Sequence, residues 1–339
     1  MFRMHNKKIM VSGIQPSNNI TLGNYLGAIK PFVDLQNKYK MFVFIADLHA
    51  ITNEFNPSSL LRNKKNIACL YSACGLDLKK VIIFNQSDIC SHNDLSHVLL
   101  CHTTIGELKR MTQFKSKALT KNANNTSFIK TGLLTYPILM AADILLYDAS
   151  IVIVGADQKQ HLELARNLAI RMNNKYGKMF IVPQPLILKN ASRIMDLANV
   201  KIKMSKSNKD QKGVIYLLDD KKTIIKKIME AKTDSINKIK YDKKNQPEIS
   251  NLLEIYAALS TKDINSVVKK YENKNYKVFK EDLAKIVVEK LSVIQKKFKQ
   301  ISKDFDKKIG PILKKNAKYC TAIVQKKTKL VYKKIGLIK

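Results

Sequence analysis

Two lysines in a polar segment are well suited to chemistry on a phosphate. They lie in the run Lys203-Met204-Ser205-Lys206-Ser207. Mobile lysines that close over a nucleotide stabilise the charge that develops on phosphate oxygens in a transition state. Lysine makes up about a sixth of the chain, so this spacing alone is weak evidence. The intervening Met-Ser and the trailing Ser make the pattern more specific.

One carboxylate lies within a nearly apolar helical run, TYPILMAADILLY at 135–147. Burying an unpaired charge is costly, so Asp143 needs a partner. Tyr136, Met140 and Asp143 are spaced to share one helical face. Indole is apolar apart from one N–H donor, so an apolar wall with one acceptor suits it and rejects side chains without that N–H. From this segment alone, a structural carboxylate paired with a lysine or a helix end is the slightly better interpretation.

Two strand ends are candidate nucleotide contacts. Ile9–Ile14 is followed by Gln15-Pro16-Ser17 and by the helix start Thr21-Leu22-Gly23-Asn24, where backbone N–H groups favour phosphate. Glycines near a helix start are, however, more often packing or turn residues. Ile151–Val154 ends at Gly155, which would let a ribose approach the backbone. Asp157 could then accept from a hydroxyl, or simply cap the next helix.

The elements that position these residues alternate between strand and helix. Strand patterns cover 9–14, 41–46, 81–84 and 151–154, and helix patterns cover 22–33, 57–74, 132–147 and 157–173. This alternation predicts a doubly wound parallel sheet, a Rossmann-like α/β domain over 1–212 with a helical insertion around 92–135. From 213 to 339 the apolar residues follow helical spacing, which predicts an all-helical second domain.

The formal net charge of +34 would attract polyanions such as RNA. Residues 213–339 carry +18 and the preceding 212 residues +16, so the helical half is the more densely basic. Only six of the 61 basic residues are arginine, a composition that a bias toward A/T-rich codons also explains. The charge is therefore compatible with RNA binding and does not establish it.

Cysteine and histidine spacing gives no sign of a metal site. The five cysteines contain no CxxC pair, and His92, His97 and His102 recur every five residues, which does not place them on one helical face. The N-terminal segment that precedes the first strand is short and polar, and no apolar run is long enough to cross a bilayer. We therefore expect a soluble cytoplasmic protein with no membrane partner.

Taken in order, these segments resemble class I aminoacyl-tRNA synthetases. Residues 21–24 are similar to the "HIGH" signature, and 203–207 match "KMSKS" letter for letter. Within that class the chain resembles the bacterial-type tryptophanyl enzymes. The segments that carry the resemblance are GIQPS (13–17), ELKRMTQFK (107–115), TYPILMAADILLY (135–147), GADQKQH (155–161) and RIMDL (193–197).

The resemblance implies activation of L-tryptophan by ATP to tryptophanyl-adenylate and pyrophosphate, then transfer to tRNA(Trp) with release of AMP. It implies ATP contacts at Gln15, Pro16, Ser17, Gly23, Asn24, Gly155, Ala156, Asp157, Ile194, Lys203, Met204, Ser205, Lys206 and Ser207. It implies catalytic lysines at Lys117, Lys203 and Lys206, and a tryptophan pocket of Asp143, Tyr136, Met140, His49 and Gln158. The family also uses Mg²⁺ with ATP, is homodimeric and reads the anticodon with its helical domain.

The chain departs from the family pattern at several positions. Asn18 stands where Gly is usual, Val11 where an aromatic is common, and Leu22 where Ile is usual. Ala156 is small where a larger polar residue occurs, and Asn208 stands where Asp is frequent. These changes affect local packing and loop behaviour more than the reaction.

Three other functions are compatible with parts of this pattern. A tyrosyl-tRNA synthetase shares the fold, and phenol also donates a hydrogen bond. A basic RNA-binding module could retain a degenerate synthetase fold, although the intact lysine loop speaks against it. A nucleotidyltransferase acting on a small phosphate ester would not need the basic helical half.

Overall fold

A computed structural model describes residues 7–16, 20–119, 130–155, 158–186, 193–206, 208 and 210–339, without the side chains of 116–119. Apolar, mainly β-branched or aromatic runs form most of the strands, as their intrinsic preference favours. The five strands are β1 (Ile9–Ile14), β2 (Lys40–Ile45), β3 (Ile82–Asn85), β4 (Ile151–Ile153) and β5 (Gln184–Leu186).

All strand pairs are parallel, and the strand order is β3-β2-β1-β4-β5. The chain moves outward from β1 to β3 and then crosses to the other side of β1 to form β4. Such a reversal is the topological switch point of a doubly wound sheet, beside which ligands bind at the carboxyl ends of the strands. The predicted Rossmann-like fold class is therefore confirmed.

In the described part of the first half of the chain, nine α-helices surround or interrupt the strands. They are α1 (Leu22–Asn24), which continues through a π-helical turn (Tyr25–Ile29) into α2 (Lys30–Leu35), then α3 (Asp47–Ala50), α4 (Pro57–Ala73), α5 (Ser91–Leu100), α6 (Ile105–Lys109), α7 (Thr112–Leu119), α8 (Thr131–Leu145) and α9 (Lys159–Tyr176), with a 3₁₀ turn at Gln86–Asp88. The second half adds α10 (Lys221–Met229), α11 (Pro247–Ser260), α12 (Ile264–Tyr271), α13 (Tyr276–Lys303), α14 (Phe305–Lys308) and α15 (Gly310–Ile335). Side-chain caps define several starts, as where Asp220 accepts from the backbone N–H of Thr223.

Side chains of the central strands alternate between two buried clusters, one on each face of the sheet. Met41, Val43 and Ile45 of β2 belong to one cluster, and Phe42 and Phe44 to the other. A strand covered on both faces reads as a continuous apolar run instead of an alternating one. The first cluster includes α4, α11 and α13, whereas the second includes α5, α8, α9 and α15. Both halves of the chain thus contribute to the core around the sheet.

The helix α15 packs against the edge of the sheet formed by β3. The side-chain amide of Asn316 donates to the carbonyl of Ile83 at 2.9 Å. Lys327 donates to the carbonyl of Met179 at 2.8 Å and pairs with Asp148 at 2.6 Å. These contacts tie the end of the helical half to the sheet, and they cover an edge strand that would otherwise expose unpaired backbone groups.

The strand and helix positions agree with the sequence patterns to within a few residues, apart from β5, which those patterns did not reveal. β5 has only three residues, one of them proline, and its neighbour β4 is equally short. The proposed boundary between residues 212 and 213 stays a prediction. None of the helices in the described ranges combines the length and apolar sequence needed to cross a bilayer.

Candidate active site

A cavity of about 410 Å³ opens where β1 and β4 end, at the switch point of the sheet. Ser12 and Gly13 contribute from β1 and Ile153 from β4. A β-carbon on Gly13 would lie 2.5 Å from the ring of Phe44, so the absence of a side chain there lets this ring form a wall. The volume lies within the range of small-molecule pockets.

The carboxylate of Asp143, from the middle of α8, lines this cavity and is 1% exposed. Its Oδ1 accepts from Gln86 Nε2 at 2.7 Å and from His92 Nδ1 at 2.6 Å, and its Oδ2 accepts from His49 Nε2 at 2.9 Å. Burial alone would raise the pKa of Asp143, but the hydrogen bonds and charges of His49 and His92 lower it to about 2. The carboxylate is therefore ionised near neutral pH.

One acceptor position on Asp143 remains open to the cavity. A carboxylate offers about four lone-pair sites, and Oδ1 receives two donors whereas Oδ2 receives one. His49 also lines the cavity, while Gln86 and His92 do not belong to its described wall. We infer that Oδ2 is the oxygen on the cavity side and that it has room for one further donor.

All five residues expected to bind tryptophan line this one cavity: His49, Tyr136, Met140, Asp143 and Gln158. The hydroxyl of Tyr136 shares a hydrogen bond of 2.6 Å with Nε2 of the buried His161. Its ring stands edge-on to His49 with centroids 6.2 Å apart. Among the described lining residues, aromatic and apolar side chains thus stand beside one carboxylate, that of Asp143, and Gln15 extends the lining toward the end of β1.

The start of the first helix lies directly against the lysine loop. Thr21 caps α1 through a reciprocal pair of hydrogen bonds with Asn24. A β-carbon on Gly23 would lie 3.2 Å from the carbonyl oxygen of Met204. The backbone N–H of Met204 donates to the carbonyl of Ile194 at 3.0 Å. The structure thus brings together Gly23, Ile194 and Met204, three of the expected ATP contacts.

Lys203 and Lys206 are both exposed at this loop. Protein atoms around the ammonium group of Lys206 desolvate it and lower its pKa. The side-chain amide of Gln211 donates to the carbonyls of Lys206 and Asn208, and Gln211 in turn accepts from Tyr216. No lysine in the described part of the chain lines the 410 Å³ cavity. Lys203 and Lys206 therefore do not belong to the described wall of this cavity.

The base of the lysine loop is held by the buried carboxylate of Asp196. This carboxylate accepts from the backbone N–H of Ala198 at 2.9 Å and from Nδ2 of Asn208 at 2.7 Å. The family more often has Asp at position 208. The amide of Asn208 suits this position because it can donate a hydrogen bond to the carboxylate of Asp196. A β-carbon on Gly213 would lie only 1.8 Å from Asp196 Oδ1 and 2.4 Å from the nitrogen of Ala198.

We expect Gly213→Ala to destabilise the protein by about 1–3 kcal/mol, the usual cost of forced overpacking. Urea-induced unfolding followed by circular dichroism measures this loss. Gly310→Ala is the matched control, because its β-carbon would meet nothing closer than 3.6 Å at the start of α15. Equal stability of the two variants would show that the turn around Asp196 accommodates the added β-carbon without a loss of folding free energy.

Several expected site residues lie outside what the structure describes. They are Ser17, Ala156, Asp157 and Ser207, together with the side chain of Lys117 in α7. Pro16 is buried after β1, and the carbonyl of Gly155 accepts from the backbone N–H of Gln158 at 3.0 Å. Val11, one of the departures from the family pattern, lines the cavity, where it provides a smaller wall than an aromatic ring.

The sequence reasoning missed two residues that support the site, Gln86 and His92. The sequence shows His92 only as one of three histidines that do not share a helical face. The signal that could have found them is the cost of burying Asp143, which requires nearby donors. Sequence spacing could not identify these donors, because they lie 57 and 51 positions from Asp143.

Comparisons with known proteins agree with this geometry. The family model described as "tRNA synthetases class I (W and Y)" matches residues 3–292. A curated tryptophan–tRNA ligase of Malacoplasma penetrans is 54% identical over 97% of this chain and 98% of its own length.

Two solved structures are similar to this chain in both fold and sequence. Tryptophanyl-tRNA synthetase of Mycoplasma pneumoniae superimposes with a TM-score of 0.89 at 41% identity, covering 98% of each chain. The enzyme of Campylobacter jejuni, solved with ADP and tryptophan, superimposes with a TM-score of 0.80 at 33% identity, covering 97% of this chain and 99% of its own. The chain therefore belongs to the class I aminoacyl-tRNA synthetases and, within them, to the bacterial tryptophan–tRNA ligases.

Proposed function

We propose that this protein activates L-tryptophan with ATP and transfers it to tRNA(Trp). The observation that supports this most directly is the wall of the 410 Å³ cavity, where an ionised acceptor stands among apolar and aromatic groups. The indole N–H donates to Oδ2 of Asp143, and the ring lies against the side chains of Tyr136 and Met140. An amino acid without a ring N–H leaves this acceptor position unsatisfied and binds less well.

The carboxylate of bound tryptophan attacks the α-phosphate of ATP. A bond forms between the carboxylate oxygen and phosphorus, and the bond to the bridging oxygen breaks, so that pyrophosphate leaves. Negative charge shifts onto the phosphate oxygens during this step. Lys203 and Lys206 move toward these oxygens, with Lys117 as a third expected cation, and stabilise that charge. Partial desolvation of Lys206 strengthens its attraction for an incoming phosphate.

The adenosine moiety fits between the end of β1 and the lysine loop. Gln15 and Gly23 approach it from one side, and the backbone at Ile194 lies against the base. Gly155 leaves room for the ribose, with Asp157 as the expected hydroxyl acceptor. The position of Gly23 against Met204 supports this arrangement, because a larger residue there would press on the backbone of the loop.

Mg²⁺ is expected to arrive with the triphosphate. The described residues contain no group of three or more His, Cys, Asp or Glu side chains that could hold a metal ion. Magnesium is commonly bound through substrate phosphates and water with few protein ligands, so the residues present fit an ion carried by ATP. When bound, it neutralises part of the phosphate charge.

The helical half is the proposed binding surface for tRNA, including its anticodon. It carries a net charge of +18, and lysines such as Lys296, Lys297 and Lys299 of α13 are exposed. Homodimer formation and a cytoplasmic location complete the proposal. Both follow from the family and from a role in bacterial protein synthesis.

Replacing Lys296, Lys297 and Lys299 together with glutamine is expected to weaken tRNA binding and flatten its dependence on salt. Each phosphate contact contributes about 0.7–0.9 to the slope of log K against log salt. Filter binding between low and moderate salt measures this slope. A triple variant at Lys38, Lys79 and Lys178, exposed lysines of the first half, is the control for net charge. Equal slopes for both variants would reject α13 as a specific contact.

The experiment that tests the proposed function is ATP–pyrophosphate exchange with each proteinogenic amino acid in turn. We expect exchange with tryptophan to exceed that with any other amino acid. Faster exchange with tyrosine would favour the tyrosyl alternative. Binding of tRNA without any amino-acid-dependent exchange would favour a non-catalytic RNA-binding protein.

A further inference from the structure

A row of buried polar side chains continues from Asp143 away from the cavity. His92 is fully buried, with Nδ1 2.6 Å from Asp143 Oδ1 and Nε2 2.9 Å from the hydroxyl of Tyr147. Tyr147 in turn lies in the same buried cluster as Cys320 of α15. None of these three residues belongs to the described cavity wall. His92 therefore acts on a bound amino acid through its neighbours in the wall, by a hydrogen bond to Asp143 and by ring packing against Phe44.

The hydrogen-bond directions along this row follow from the ionised state of Asp143. A carboxylate only accepts, so Nδ1 of His92 carries the proton and donates to it. The other ring nitrogen, Nε2, shares a hydrogen bond with the hydroxyl of Tyr147. Burial raises the pKa of Tyr147, which keeps this hydroxyl protonated.

Aromatic rings restrict the position of His92. Its ring centroid lies 6.0 Å from that of Phe44, 6.2 Å from that of Phe84 and 5.7 Å from that of Tyr147. With its ring packed on these sides and both nitrogens engaged, His92 has little freedom to reorient. A donor fixed in this way fixes the carboxylate that it contacts.

We propose that His92, held by Tyr147, is a positioning residue that pins Oδ1 of Asp143 so that Oδ2 meets the indole N–H, and that it thereby sets selectivity for tryptophan. This inference rests on the proposed function. It extends the determinants of selectivity beyond the pocket wall to the buried side chains of His92 and Tyr147 behind Asp143. His49 cannot replace this support, because it contacts the other oxygen from the cavity side.

Three variants separate the parts of this support. His92→Leu removes both hydrogen bonds, His92→Asn keeps an amide donor near the position of Nδ1, and Tyr147→Phe removes only the hydroxyl. The matched control is His102→Leu. His102 makes the same kind of link to a tyrosine, with Nε2 2.9 Å from the hydroxyl of Tyr176, but its Nδ1 contacts the carbonyl of Val98 and not a carboxylate.

The measurement is ATP–pyrophosphate exchange with tryptophan and with β-(3-benzothienyl)alanine, an isostere in which sulfur replaces the ring N–H. For His92→Leu we expect KM for tryptophan to rise about tenfold or more with a smaller change in kcat, and the preference for tryptophan to fall by a similar factor. His92→Asn should recover most of the preference, Tyr147→Phe should lose a few-fold, and His102→Leu should retain it.

The pH profile provides a second readout. In the parent protein, the ionisation of Asp143 contributes nothing to KM for tryptophan above about pH 4, since its pKa is about 2. In His92→Leu, fewer hydrogen bonds oppose the effect of burial on Asp143. The pKa of Asp143 therefore rises, and KM for tryptophan should increase as the pH falls. His49, Tyr147 and Cys320 also face this network. The His92→Asn profile, with the same groups present, is therefore the comparison.

Unchanged preference and an unchanged pH profile in His92→Leu, with only a lower melting temperature, would overturn the positioning role. If His92→Leu does not fold, a preference for tryptophan in Tyr147→Phe equal to that of the parent would overturn it as well. These results leave the proposed function intact when the parent protein prefers tryptophan. A parent protein without tryptophan-dependent exchange would instead reject the proposed function and this inference with it.

Discussion

Lys206→Ala is expected to lower the rate of tryptophan-dependent ATP–pyrophosphate exchange by about 10²–10³, the usual loss when one transition-state donor is removed. Its contact with phosphate strengthens as charge moves onto the α- and β-phosphate oxygens. The loss should therefore fall on kcat, while tryptophan binding stays nearly intact. The partly desolvated ammonium group of Lys206 makes it the more consequential of the two loop lysines to test.

Lys201→Ala is the control for this variant, because Lys201 is also an exposed lysine close to the loop. Tryptophan binding can be followed directly by fluorescence of the ligand, since the chain contains no tryptophan residue. A rate for Lys206→Ala close to that of Lys201→Ala would contradict a role in the transition state. A parallel loss of tryptophan affinity would indicate that the pocket itself had changed.

Asp143→Ala is expected to remove most of the discrimination between tryptophan and its benzothienyl isostere. The parent site loses a hydrogen bond to an ionised group when the isostere binds, and sites built around such a bond discriminate by large factors. We expect the preference to fall by about 10²-fold or more, measured as the ratio of kcat/KM for the two amino acids. Most of the change should be in the tryptophan value.

This substitution also leaves Gln86, His49 and His92 without their common acceptor. Each buried donor left unsatisfied costs about 1–3 kcal/mol, so the variant is expected to unfold at lower urea concentration. The ratio of the two kcat/KM values separates recognition from stability, because both amino acids meet the same weakened protein. Equal discrimination in parent and variant would mean that Asp143 has only a structural role.

Much of the fold and the identity of the main site residues could be predicted from the sequence. Buried strands read as continuous apolar runs, so Lys40–Ile45 and Ile9–Ile14 were placed within a residue. The spacing of Tyr136, Met140 and Asp143 correctly indicated a shared surface. The family motifs then indicated the roles of individual site residues, which periodicity cannot give. The order of these motifs along the chain is consistent with the order of strands and helices in a parallel sheet.

Other features depend on contacts between distant parts of the chain. Two of the donors to Asp143, Gln86 and His92, come from the turn after β3 and from α5, and no local pattern links these segments to α8. The packing of α15 against β3 was equally hidden, because an amphipathic helix shows which face is buried but not what covers it. β5 is too short to produce a recognisable period.

The attachment of α15 to β3 has a consequence for the order in which the protein can mature on the ribosome. About 225 residues separate Asn85, the last residue of β3, from Gly310. At 5–20 residues per second, the edge strand emerges roughly 10–45 s before its covering helix is synthesised. During this interval the nascent sheet has an uncovered border that a neighbouring chain could join. The first half of the chain can therefore complete its fold only after α15, nearly the last element, has been translated. Protection by chaperones would matter most before that point.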